Sequence, residues 1–179
     1  MGHPLVTVPF VVIYILFQTQ PFKNALFIAS LVIGLIQIPV LIHLFKKLKM
    51  KKIESFDVSN RQERKKFYFF LFPLVVLVSL VLYLTKQSVE LIYGFLFATI
   101  LLLMMQIMNY FIKTSLHVAV NFYLGFLLFD LNPILGIFWW AFTVLIAWSR
   151  FELNKHTAAE ICYGSLIGSS CGIGLQFFI

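Results

Sequence analysis

The feature that most constrains this chain is the length and continuity of its apolar runs. Seven can be drawn: Leu5 to Phe17, Ala25 to Phe45, Phe67 to Leu84, Leu91 to Ile112, Val118 to Leu131, Pro133 to Trp148 and Thr157 to Ile179. A helix needs about 20 predominantly apolar residues to cross the hydrocarbon core. A membrane strand would alternate in polarity over about ten residues. The runs are continuous, so the sequence predicts an all-α, polytopic transmembrane helical bundle of six to seven spans. The first run is the short one; it starts at the interface, tilts or reaches only partway. Composition agrees: the chain is 61% hydrophobic and only 12% charged, and its mean hydropathy is +0.95. These values exclude an ordinary soluble domain. At 179 residues a single integral-membrane domain, residues 1–179, is expected, held by helix packing in lipid. No basic stretch precedes the first run and no small-residue cleavage site follows it, so no removable signal peptide is expected.

The polar breaks carry the functional signal. The one substantial loop leaves through Lys46, Lys47, Lys49, Lys51 and Lys52 and returns through Arg61, Arg64, Lys65 and Lys66. Lys113 to His117 forms a second break and Ser149 to Glu160 a third. Under seven spans, all three fall on one side together with the N-terminus. Charges at a membrane boundary are costly unless paired or used. If the last helix begins near Thr157, His156 and Glu160 stand one turn apart on the same side. The carboxylate then accepts the imidazole N–H and leaves the other nitrogen free to attack. Arg150, on the preceding loop, is a fixed cation able to meet an anion with two N–H donors. For Arg150 or Lys155 alone, anchoring of a helix end is the plainer role.

Among the remaining polar residues, His117 and Asn121 are four apart, as are Asn109 and Lys113, so each pair is predicted to share a helix face. Asn109 and Asn121 taken singly read as interhelical hydrogen-bonding groups. Gly164, Gly168 and Gly172 recur every four residues, a spacing that lets a neighbouring backbone approach and reads as packing rather than as a phosphate-binding loop. Trp148 and Tyr68 suit the interfacial belt, and Trp139 and Trp140 suit aromatic packing. Cys162 and Cys171 are separated by about 13 Å of helical rise, too far for a bridge.

The three clusters resemble the signature of the type 2 phosphatidic acid phosphatase superfamily. That family carries Ser-Arg, five residues, His, three residues, Asp. Ser149-Arg150, His156 and Glu160 keep the spacing, with Glu for Asp. The second motif, Pro-Ser-Gly-His, looks like Thr114-Ser115-Leu116-His117. The first motif, Lys, six residues, Arg-Pro, is not recovered: setting Arg64 on its Arg places Asp57 at the Lys and Lys65 at the Pro. The order His3-Pro4, Arg61/Arg64, Lys113 to His117, His156-Thr157 is similar to a divergent bacterial branch.

The resemblance implies a membrane phosphatase acting on a lipid phosphate or polyprenyl diphosphate through a phosphohistidine. His156 would be the nucleophile oriented by Glu160, and His117 the proton donor. Arg150, Ser115, Arg64, Arg61 and Lys113 would hold the phosphate oxygens. No metal and no other cofactor is implied, the partner is a membrane lipid and not nucleic acid, and the location is a bacterial inner membrane. The alternative is a weakly catalytic relative that binds or translocates anionic lipid headgroups. All of the 14 Lys and Arg residues except Lys23 and Lys86 fall on the side of the clusters, which by the positive-inside rule faces the cytoplasm.

Overall fold

A computed structural model describes residues 2–53, 56, 58 and 60–179. Asp57, at the family's first-motif lysine position, lies outside them. The described residues are all-helical, without strands. The helices are α1 (Pro4–Thr19), α2 (Phe22–Lys49), α3 (Arg61–Leu84), α4 (Val89–Met108), α5 (Leu116–Leu131), α6 (Pro133–Glu152) and α7 (Ala158–Gln176). Four of them, α2, α3, α4 and α6, are long and apolar enough to cross a membrane, and α1 and α5 are shorter apolar helices.

Local chemistry sets the ends. His3 caps α1, its Nδ1 accepting from Leu5 N at 3.2 Å with Pro4 at the first helical position, where the missing N–H costs nothing. Asn60 caps α3 and Asn132 caps α6, each accepting from two backbone amides. Thr157 and Glu160 form a reciprocal capping box at the start of α7, which satisfies two otherwise orphaned donors. Within α2 the ladder widens to a π turn over Ile33–Gln37, just ahead of Pro39. A proline cannot donate to the carbonyl four residues back, and its ring clashes there; the wider turn absorbs the defect. It also aims Gln37 at α1, where Nε2 donates to Leu5 O at 2.6 Å.

The short α5 is the axis of the molecule, packing against α1, α4, α6 and α7. Half of its 16 residues are buried, so it is apolar all round rather than striped. Its contact with α7 runs through the glycines. A Cβ on Gly164 would stand 2.7 Å from Ser115 O, and one on Gly168 would stand 2.2 Å from Ala119 O, so both are backbone-to-backbone approaches. Gly172 instead meets the Phe126 ring. The glycine spacing is packing, as the sequence suggests. Trp140 stacks on Phe129 and meets Phe126 edge-on.

The helices alternate direction between two ends. One end gathers His3, Lys47, Arg64, Thr114 and His156. At the other, Asn24 Nδ2 donates to Gln87 Oε1 at 2.8 Å and Gln176 Nε2 to Asp130 Oδ2 at 2.9 Å.

Candidate functional site

The first end is assembled from four segments that meet by backbone contact. Ser115 N donates to Glu160 O at 3.1 Å, joining the start of α5 to the first turn of α7. Lys113 Nζ donates to Lys155 O at 2.9 Å, joining the same two regions from outside. Arg64, on the first turn of α3 and 5% exposed, ties in the third. Its Nη1 donates to Thr114 O at 2.6 Å, and its Nε and Nη2 donate to Val58 O at 3.1 Å each. The fourth is the N-terminus, where His3 and His117 stand edge to face with ring centroids 4.7 Å apart.

His156 Nδ1 lies 2.8 Å from Glu160 Oε2. The carboxylate is shared with the cap, accepting from Thr157 N at 3.3 Å, so the bond that starts α7 also fixes the imidazole. The His156 side chain is 1% exposed. Burial, then the Arg64 guanidinium, hold its pKa below the ordinary histidine range, with Glu160 pulling the other way. The ring is therefore neutral at neutral pH. If Nδ1 carries the proton to Glu160, Nε2 keeps its lone pair, as a nucleophile requires.

Ser115 and His117 are both buried, and neither Ser115 Oγ nor His117 Nε2 has a hydrogen-bond partner. Buried polar groups normally do. Such orphans are what a polar ligand would satisfy. Arg64, Arg150 and His156 all lie within electrostatic range of His117, and Arg64 and Lys113 within range of His156. The end thus combines a neutral, oriented imidazole, two unsatisfied polar groups and several cations.

The structure revises several sequence readings. Arg150 is not on a loop: α6 continues to Glu152 and places it in the last helical turn. There its carbonyl accepts from Lys155 N and His156 N, so it shapes the turn that presents the histidine. Asn109 and Lys113 share no helix face, because α4 ends at Met108. Arg61 is drawn into a different contact, its guanidinium donating to the carbonyls of Asn109 and Tyr110, where a cation suits the exposed carbonyls of a helix C-terminus. Tyr68 is 1% exposed, with its hydroxyl unpartnered, and so sits inside the bundle rather than in an interfacial belt. His117 and Asn121 do share a face, with Asn121 Nδ2 donating to His117 O at 2.7 Å.

Neither His3, noted only in the motif order, nor Tyr68, assigned to the interfacial belt, is among the site residues that the sequence predicts. For His3 the signal was present in the His-Pro pair, a helix start that also carries an imidazole. For Tyr68 an aromatic one turn after Arg64 reads as interface until the helix orientation is known.

Among the described residues no group of three His, Cys, Asp or Glu side chains converges as a metal site. Comparison with protein-family models, curated proteins and solved structures returned no match for the chain.

Proposed function

We propose that the protein is a membrane phosphatase that hydrolyses a lipid phosphate or polyprenyl diphosphate through a phosphohistidine intermediate, in the manner of the type 2 phosphatidic acid phosphatases its motifs resemble. The observation that carries this reading is the buried His156–Glu160 pair at 2.8 Å, set beside the unpartnered Ser115 Oγ and His117 Nε2. In this mechanism His156 Nε2 attacks phosphorus and the bond to the leaving oxygen breaks. His117 gives that oxygen a proton, then takes one from the water that hydrolyses the phosphohistidine. Arg64, Arg150 and Lys113 supply the cationic surround, which is the main protein contribution to phosphoryl transfer.

We further propose that six to seven of the helices cross the bilayer of a bacterial inner membrane, which sets the site at one membrane surface. The rival reading, binding or translocation of a headgroup without turnover, rests on the same cations and on the absence of the first-motif lysine.

Purified protein in lipid nanodiscs, given a panel of lipid phosphates, is expected to release phosphate. A quenched reaction is expected to yield an acid-labile phosphoprotein, and His156→Ala to lose both signals. Turnover by His156→Ala equal to that of the parent would end the phosphatase reading.

A further inference from the structure

A cavity of about 740 Å³ runs through the bundle beside α1, from His3, Arg64 and His117 at one end to Gln20, Ser88 and Asp130 at the other. It is lined along α1 from Pro4 to Thr19, which at 1.5 Å per residue is about 22 Å, most of the roughly 30 Å hydrocarbon core. Its middle is apolar, with Val12, Leu71 and Val75 among the walls. Among the described residues, His117 at Nε2, 5% exposed, and Tyr68 at its hydroxyl, 1% exposed, line it without a hydrogen-bond partner.

The two ends differ in charge. Arg64 lines the first, whereas the carboxylates Glu90 and Asp130 line the far one. An anionic headgroup is drawn to the first end and repelled by the second, which fixes the direction in which an amphiphile enters. Beside the first end a second, shallower hollow is lined by Leu5, Val6, Leu41 and Phe45. Its α2 wall runs from Gln37 through Leu41 to Phe45, about 12 Å of helical rise, and Val6 and Phe45 are exposed. That is about half the length of the first cavity, too short to take a second chain at full length.

From this geometry we infer that the cavity is a chain-binding channel that takes one linear hydrocarbon chain at full length, with its phosphate at the His117 end. The substrate class is then a single-chain lipid phosphate, an alkyl or isoprenoid monophosphate or diphosphate, rather than a two-chain glycerolipid. The inference rests on the phosphatase reading for the role of the headgroup end. The channel itself is tested without turnover.

The probe is hexadecyl phosphate with a diazirine on its terminal carbon, added to the full chain in phosphatidylcholine nanodiscs and photolysed. Cross-links are expected at Leu91, Phe95 and Leu131, which line the far part of the cavity. Cross-links confined to the exposed positions Leu96, Leu103 and Val144 would overturn the channel, whatever the phosphatase assay shows. Excess dihexadecanoyl glycerol phosphate is expected to compete poorly; competition equal to that of unlabelled hexadecyl phosphate would also overturn it.

Gly94 lines the far part of the cavity, and a Cβ there meets only Leu127 Cδ2, at 3.8 Å, so Gly94→Leu should plug the channel without disturbing the site. Excluding the last two or three methylenes is expected to weaken hexadecyl phosphate binding by about tenfold or more, with butyl phosphate turnover unchanged. Undiminished hexadecyl binding by a well-folded Gly94→Leu protein would count against the channel. Far-end cross-links in a protein that releases no phosphate would instead keep the channel and remove the phosphatase.

Discussion

At the residue scale, one carboxylate does two jobs. Glu160 closes the capping box of α7 and orients His156, so helix start and candidate nucleophile are one local structure. Because burial and Arg64 hold the His156 pKa below the ordinary range, the nucleophilic neutral form persists as pH falls through about 6.5, the unperturbed value. Activity is expected to fail only on the acid side of that point. Glu160 acts in the opposite sense, favouring the charged ring. Replacing it by Gln is therefore expected to lower kcat while moving the acid limb of kcat/KM to still lower pH. The limb reports groups of the free enzyme, and comparing parent and variant on one substrate cancels the titration of the phosphate itself. An acid limb that stays in place or moves upward in Glu160→Gln would remove Glu160 from contact with the titrating group.

At the scale of elements, the α5–α7 seam decides whether the site exists at all. Gly164 and Gly168 let α7 approach the α5 backbone at Ser115 and Ala119, the stretch that carries Ser115 and His117. A side chain at Gly168 has only backbone to push against, so relief requires moving a helix. Gly168→Leu is expected to destabilise the protein by about 1–3 kcal/mol or more, as overpacking does. Leu166→Ala, at a 61% exposed position, should change little. Thermal midpoints of the two variants in detergent provide the check, and equal midpoints would mean that the seam is loose. The π turn of α2 belongs to the same scale. Pro39 forces a local widening, and through Gln37 that widening reaches Leu5, two residues from His3.

At the scale of the whole molecule, the gathering of the loops at one end puts nearly all the cations on that side. Lys23 and Lys86 alone stand at the other end. From that asymmetry the positive-inside rule predicts a cytoplasmic site, and removing the residues proposed to bind phosphate leaves the bias unchanged in sign. In a background without Cys162 and Cys171, a cysteine at the exposed Lys52 is expected to resist an impermeant thiol reagent in intact cells, while one at Gln87 is labelled. The reverse pattern would put the site on the outer face.

Much of this was legible in the residues because it depends on short-range rules. Long continuous apolar runs have few ways to satisfy their backbone in lipid except as helices, and the capping signal at Thr157 and the spacing from His156 to Glu160 place both groups within one turn. The four-residue glycine period likewise announced a close approach, though not its partner. What the sequence left open is what depends on distant segments meeting. Arg61 and Arg64 are one turn apart and chemically alike, yet Arg64 turns into the site end and Arg61 onto the end of α4, because each follows the carbonyls that packing brings to it. Tyr68 reads as interfacial until the rotation of α3 turns it inward, and the end of α4 at Met108 separates Asn109 from Lys113. The channel beside α1 belongs to no stretch of sequence at all: it is the space that five helices leave between them, and only their packing creates it.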